Sequence, residues 1–246
     1  QALLPPGLDF PAVRIDEGNT LGASGTRPLV VVSTSEIVID GTLDVASHIN
    51  TPQHSGPGAD SPLCHTGTPA GTYGGGWGGS FGTKGGNGGA ANGALAGTTL
   101  VPTTLQGGCK GSDGAGNPGK LGHGGGAVYL IATSISVNGT ITASGESGAS
   151  TTNNSAGGGG GGSGGMIVFD TPMLSIAPTA QIFANGGGGG EGTGGNTGKD
   201  GIDALGPGAG GVGGSGGSTG GDGGAGGFGT TGGNNGTAGD ATDQGG

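Results

Sequence analysis

Short apolar segments recur along this chain in a strand–turn–strand pattern. The stretch SEIVIDGTLDVAS, residues 35–47, alternates apolar and polar residues, turns at Asp40-Gly41, and alternates again. A period of two places every second side chain on the same face of a β-strand. Asp-Gly favours a tight turn because both residues tolerate positive φ. The stretch therefore predicts two short β-strands joined by a turn.

The same pattern occurs in other parts of the chain, which makes it an internal repeat. Residues 27–47, 127–145 and 166–186 each begin with an apolar strand and continue with two alternating arms, and a weaker copy lies at 13–25. One hairpin is marginally stable in water. Copies stacked in register would bury a shared apolar stripe, as repeat proteins do. We expect stacking, and the pattern leaves open antiparallel hairpins and the corners of a parallel β-solenoid.

Glycine fills the chain between the repeats and follows a period of three. The chain contains 73 glycines in 246 residues, and 210–218 reads GGVGGSGGS. Polyproline-II geometry has three residues per turn, whereas collagen needs far more proline than the 13 present here. Glycine helices of this type can pack through backbone hydrogen bonds and Cα–H···O contacts. The alternative is that these tracts are flexible linkers.

These patterns predict an all-β fold with no significant α-helix. Short stacked β-rungs, as a β-solenoid or sandwich, are expected beside a bundle of polyproline-II or polyglycine-II helices. We expect one composite domain over 1–246. Its parts are an N-terminal arm with the first rungs (1–47), a glycine-rich insert with a disulfide (48–126), further rungs (127–186) and a glycine triplet region (187–246).

Composition and charge exclude several function classes. The formal net charge is −10 with only six Lys and Arg, so nucleic acid is a poor partner. No apolar run approaches the roughly 20 residues of a membrane span. A start at Gln1 suits a mature secreted chain, and an artificially shortened chain would look the same. Cys64 and Cys109 predict one disulfide and an oxidising compartment, hence an extracellular or cell-surface location.

Two groups of apolar residues are candidates for contact with a partner. The aromatic residues Tyr73, Trp77 and Phe81 lie four residues apart and could form either a small satellite core or an exposed contact patch. The apolar N-terminal arm could add to the open edge of a neighbouring molecule. The arm residues proposed for self-association are Leu3, Leu4, Leu8 and Phe10.

Motifs for catalysis or for metal binding are weak. GAGNPGKL, 114–121, has Leu121 where a P-loop needs Ser or Thr for Mg²⁺. His48, His54, His65 and Cys64 lie close in sequence, but their spacing fits no standard metal pattern. GGNTGKDGI, 194–202, departs from a calcium-binding repeat by one residue, which argues against calcium near Asp200. We expect no enzyme, no cofactor and no metal.

The segments RPLVVVSTSEIVIDGTLDVAS, GGGAVYLIATSISVNGTITASGESG and GGCKGSDGAG resemble the glycine-rich secreted surface proteins of multicellular, gliding Gram-negative bacteria. The resemblance covers about 27–190 and implies secretion and a surface or matrix role, but it supplies no catalytic residues. The glycine triplets are also similar to polyglycine-II bundles of phage adhesins and of a springtail antifreeze protein.

The expected function is structural. We expect self-association into an extracellular filament or matrix, a homopolymer that supports adhesion or cell–cell contact. The alternative is a monomeric adhesin or receptor-binding tip that contacts a cell-surface glycan or protein. An ice-binding protein is a further alternative, although regular ranks of threonine are missing.

Overall fold

The computed structural model describes residues 11–51, 55–89, 92–152, 155–238 and 246. Within these ranges the chain forms short β-strands and no helix, so the all-β prediction is confirmed there. The strands are β1 Ala12–Ile15, β2 Thr20–Gly22, β3 Leu29–Val32, β4 Glu36–Ile39, β5 Thr42–Asp44, β6 Ala127–Ile131, β7 Ser134–Val137, β8 Thr140–Thr142, β9 Met166–Asp170, β10 Leu174–Ile176 and β11 Gln181–Phe183.

Each complete repeat of the sequence gives one strand to each sheet. The first described repeat supplies β1 and β2, the second β3 to β5, the third β6 to β8 and the fourth β9 to β11. The three sheets have the orders β1-β4-β7-β10, β2-β5-β8-β11 and β3-β6-β9. Every pairing within them is parallel. The antiparallel hairpin interpretation is therefore wrong, because strands of one repeat pair with their counterparts in the next repeat.

The register aligns apolar residues in columns across the sheets. Ile37 pairs with Val13 on one side and with Ile135 on the other, and Ile135 pairs with Leu174. Further columns join Ile15, Ile39, Val137 and Ile176; Leu21, Leu43, Ile141 and Ile182; Leu29, Val128 and Ile167; and Val31, Leu130 and Phe169. The middle members are fully buried in one apolar cluster. Burial of each such side chain contributes about 1.5–3 kcal/mol.

Glycine at the corners is required by close stacking. Gly41 and Gly139 do not have positive φ, unlike the residues of a type I′ hairpin turn. A Cβ on Gly139 would lie 2.0 Å from the carbonyl oxygen of Gly41, and one on Gly41 would lie 2.3 Å from the carbonyl oxygen of Asn19. Successive corners thus lie directly on one another, and a side chain would separate the repeats.

The glycine-rich segments are joined by backbone hydrogen bonds that recur every third residue. Gly119, Gly122 and Gly125 donate to the carbonyls of Gly157, Gly160 and Ser163. Successive residues of the segment 157–165 bond to different neighbouring segments. Residues 157–165 contact five neighbours in this way, namely 74–79, 109–115, 119–125, 143–149 and 184–190.

The central segment 157–165 has no room for side chains on most of its surface. A Cβ on Gly160 would lie 2.0 Å from the Trp77 carbonyl oxygen, and one on Gly162 would lie 2.0 Å from that of His123. Real Cβ atoms do not approach backbone this closely. Residues 157–162 are therefore uninterrupted glycine because five backbones surround them.

Candidate functional site

The fourth repeat forms one end of all three sheets, and its inward side chains are left partly uncovered. β9, β10 and β11 are the last strands of their sheets in the described part of the chain. Leu174 and Ile176 are 46% and 49% exposed, while their column neighbours Ile135 and Val137 are fully buried. The free strand edges also carry N–H and C=O groups that point away from the third repeat. We call the strands β9 to β11 the C-terminal end face.

The opposite end is formed by the outer edges of β1, β2 and β3, which we call the N-terminal end face. Leu21 is 43% exposed and Val32 is also exposed. The two end faces continue the same columns: Val13 and Leu174 occupy one, and Leu21 and Ile182 another. The proposed arm residues Leu3, Leu4, Leu8 and Phe10 lie outside the described residues, so their role stays a prediction.

The three aromatic residues have different surroundings. Trp77 is buried, its backbone N–H donates to the Ser112 hydroxyl and its carbonyl accepts from the Ser112 N–H. Phe81 is half-buried and bridges to Leu100. Tyr73 is exposed and has a φ of 61°, in the left-handed region. The contact patch therefore stays a prediction in which Tyr73 offers the most accessible surface.

The predicted disulfide between Cys64 and Cys109 is confirmed. Its Cα atoms are 5.6 Å apart and the bridge spans 45 residues of the first glycine-rich insert. Cys109 is buried, and its N–H donates to the Ser163 hydroxyl of the central segment. The bridge thus ties an outer loop to the most enclosed part of the glycine segments.

His48 links a strand to the last glycine-rich region. Its Nε2 lies 3.0 Å from an Asp44 carboxylate oxygen, and its Nδ1 lies 3.6 Å from a carboxylate oxygen of Asp203. These partners, Asp203 first and then Asp44, raise the pKa of His48 to about 10. Burial of Asp203 opposes its ionisation, but hydrogen bonds from His48 and from the N–H groups of Ser147 and Ile49 hold the pKa of Asp203 below its usual value.

A second histidine–carboxylate pair joins two distant parts of the first glycine-rich insert. His123 Nδ1 lies 2.5 Å from an oxygen of Asp60, whose other oxygen accepts from the Gly124 N–H. The hydrogen bond with Asp60 raises the pKa of His123. The His123 backbone N–H donates to Glu146. This pair has no nucleophile among its described hydrogen-bond partners. Its hydrogen bonds instead hold distant backbone segments together.

Glu191 is a fully buried carboxylate among glycine segments. It accepts hydrogen bonds from the backbone N–H groups of Lys199, Gly217 and Ser218. The sequence-based predictions included neither Glu191 nor the two histidine pairs. The available signal was an isolated acid directly after the glycine run 186–190.

The weak metal motifs gain no support from the geometry. In the described residues no group of three His, Cys, Asp or Glu side chains is placed to hold a metal ion. Cys64 is in the disulfide and His54 lies outside the described residues. Asp200 accepts from the N–H and hydroxyl of Ser150. The expectations of no cofactor and no catalysis stay predictions.

Comparison with protein-family models, with curated proteins and with solved structures found no match to this chain. The described residues also contain no helix that is long and apolar enough to cross a membrane.

Proposed function

We propose that this protein is a structural protein of the extracellular space that self-associates end to end into a filament or matrix. Adhesion or cell–cell contact would be the use of that assembly. The observation that carries the proposal is the C-terminal end face, where Leu174 and Ile176 are half-exposed members of columns whose middle residues are fully buried. Unpaired strand edges of this kind are templates for pairing with another chain.

The proposed architecture is a parallel β-solenoid with a bundle of polyglycine-II helices beside it. The parallel, in-register sheets that each repeat visits in turn support the solenoid. Hydrogen bonds at every third residue between glycine segments support the three-fold helices. In such an architecture the two end faces are where another molecule can extend the existing columns.

The two end faces are complementary in the way that head-to-tail assembly needs. If β10 of one molecule paired with β1 of the next in the existing register, Leu174 would lie on Val13 and Ile176 on Ile15. β11 would likewise bring Ile182 onto Leu21. Such a contact uses two different surfaces and so continues without closing, which produces a fibre.

The confirmed disulfide supports the extracellular location. Structural disulfides persist in oxidising compartments and are rare in cytosolic proteins. Secretion itself and the surface role implied by the bacterial resemblance remain part of the proposal.

The adhesin alternative has less support. A contact patch built on Tyr73, Trp77 and Phe81 would need an accessible Trp77, which is 7% exposed. A glycan or protein that binds the exposed Tyr73 would leave end-to-end association unaffected, so the two functions can be separated by experiment.

The test is a pair of charged substitutions on the C-terminal end face. Leu174→Lys with Ile176→Lys places two charges in columns that would become buried on association, and burial of unpaired charge is strongly unfavourable. We expect the parent protein to form filaments by negative-stain electron microscopy and the double variant to be monodisperse by light scattering.

The matched control is Val101→Lys, a substitution of another exposed aliphatic residue, 72% exposed and outside the sheets. It should leave the filaments intact, and thermal unfolding should show that all three proteins are folded. A parent protein that stays monomeric at high concentration, or a double variant that still forms filaments, would refute the proposal.

A further inference from the structure

Six glycine-rich segments surround a channel of about 600 Å³. The channel runs beside the central segment 157–165, on the side opposite to residues 119–125. Its walls are formed by residues within 76–79, 84–87, 159–165, 184–189, 224–230 and 233–236. The central segment therefore has five backbone neighbours and this channel as the sixth.

Backbone donors of the central segment point into the channel. The carbonyls of Gly160 and Ser163 accept from residues 122 and 125. In a trans peptide the C=O and the following N–H point in opposite directions, so the N–H groups of Gly161 and Gly164 face the channel. Neither N–H donates a hydrogen bond to the described part of the chain. They are three residues apart, which is one turn of a polyproline-II helix.

The other walls present matching groups at the same spacing. On the wall formed by 184–189, the N–H groups of Asn185 and Gly188 donate to the hydroxyls of Ser144 and Ser147. The carbonyls of the preceding residues therefore face the channel. Within the described residues, the wall groups that make no backbone hydrogen bond include the N–H of Gly86, Gly224 and Gly227 and the C=O of Gly76, Gly79, Ala184 and Gly187.

The walls of the channel are made mainly of glycine backbone. The Cα atoms of Gly78 and Gly189 face it, and these positions are spacious compared with those of the central segment. A Cβ added to Gly78 would meet its nearest neighbour, the Gly86 nitrogen, at 3.4 Å. Walls made of glycine backbone offer alternating donors and acceptors, and Lys84 is the only charged residue among the described residues that line the channel.

One glycine already lies at an end of the channel and bonds as an occupant would. The Gly246 carbonyl accepts from the Gly89 N–H at 2.6 Å, and its N–H donates to the Thr237 carbonyl at 3.3 Å. A Cβ on Gly246 would lie 2.2 Å from the Gly221 carbonyl oxygen. This end of the channel is thus tight enough to accept glycine alone.

We propose that the channel binds a run of consecutive glycine residues from another polypeptide chain. The bound run adopts the three-residue-per-turn conformation and bonds to all the surrounding walls. The stretch of wall from 159 to 165 accommodates about seven residues, or about 22 Å at 3.1 Å per residue. Water is the alternative hydrogen-bond partner for these polar groups. The experiment below distinguishes a bound glycine run from water. Binding in this channel is independent of the end-to-end association.

The test adds acetyl-hexaglycine-amide to the ¹⁵N-labelled full chain and follows amide exchange by NMR. Binding should slow exchange at Gly161, Gly164, Gly224 and Gly227 by about tenfold or more, because the new hydrogen bonds must open before exchange occurs. The control peptide acetyl-(Gly-Ala)₃-amide should have no effect, because its methyl groups do not fit. Unchanged exchange with hexaglycine would mean that water serves these groups and would overturn the proposal.

A substitution in the channel wall tests whether hexaglycine slows amide exchange by binding in the channel. Gly78→Ala places one methyl group in the channel with an ordinary van der Waals contact, so the protein should fold and should lose the hexaglycine effect. Gly208→Ala, where a Cβ would have nothing within 4 Å, should keep it. Equal protection by hexaglycine in the two variants would show that the peptide binds elsewhere, which would also overturn the proposal.

Discussion

Charged residues are few in this chain, and several of the acids hold backbone segments together. Glu191, Asp203 and Asp60 each accept hydrogen bonds from backbone N–H groups of segments that are distant in sequence. Glycine segments present many N–H groups and no side chains, so a carboxylate is an effective clamp between them. His48 strengthens one of these clamps because its pKa of about 10 keeps it positively charged beside Asp203 at neutral pH. His123 is hydrogen-bonded to Asp60, which raises the pKa of His123.

The His48 clamp predicts a pH-dependent contribution to stability. The pKa of His48 is about 10 in the folded protein against 6.5 for the free side chain. Because the folded-state pKa is raised, the stabilisation is complete below about pH 6.5 and is lost as the pH rises towards about 10. His48→Gln should lower the melting temperature near neutral pH, and the difference from the parent should shrink towards pH 10.

The measurement is thermal unfolding by circular dichroism across that range. His65→Gln serves as the control, because exposed His65 contacts Thr98 and its described hydrogen bonds include no carboxylate. A His48→Gln difference that stays constant with pH would contradict the assignment.

At the scale of elements, the repeats stack closely because the glycines at their corners carry no side chain. The sequence predicted the strands of all four repeats and the turns between them, since alternation and Asp-Gly or Asn-Gly are local signals. It also suggested a hairpin at Asp40-Gly41, and this was wrong. The local signal for a turn is the same whether the next strand folds back or continues around a corner, and contacts between repeats decide which occurs.

Gly139→Ala tests the close stacking of corners. The new methyl group would meet the Gly41 carbonyl oxygen, and the clash should destabilise the protein by about 3 kcal/mol or more. Gly22→Ala, in β2 with nothing within 4 Å of its Cβ, should change stability by less than about 0.5 kcal/mol. Urea unfolding should show a lower midpoint with an unchanged slope for Gly139→Ala alone. Equal midpoints for the two variants would exclude the stacking explanation.

For the whole molecule, the proposed association has a direction, because the two end faces differ. A head-to-tail contact joins the C-terminal end face of one molecule to the N-terminal end face of the next. A contact between two like end faces would instead give a closed dimer. The exposed residues at both ends, Leu174 and Leu21, allow the two arrangements to be distinguished.

Two half-blocked variants provide this test. Leu21→Lys blocks the N-terminal end face, and Leu174→Lys with Ile176→Lys blocks the C-terminal end face. Head-to-tail association predicts that each variant alone is monomeric and that an equimolar mixture forms heterodimers and nothing longer. Analytical ultracentrifugation with one variant fluorescently labelled measures this. Homodimers of either single preparation would contradict the head-to-tail geometry.

The sequence by itself determined the strand segments, the absence of helix in the described residues, the disulfide, and the three-residue period of the glycine tracts. Each of these depends on local alternation, on residue type or on a count of cysteines. The tertiary structure decided the parallel pairing, the burial of Trp77, the carboxylate clamps and the channel. These depend on which distant segments become neighbours, and glycine-rich segments carry almost no side chains by which a sequence could specify their partners.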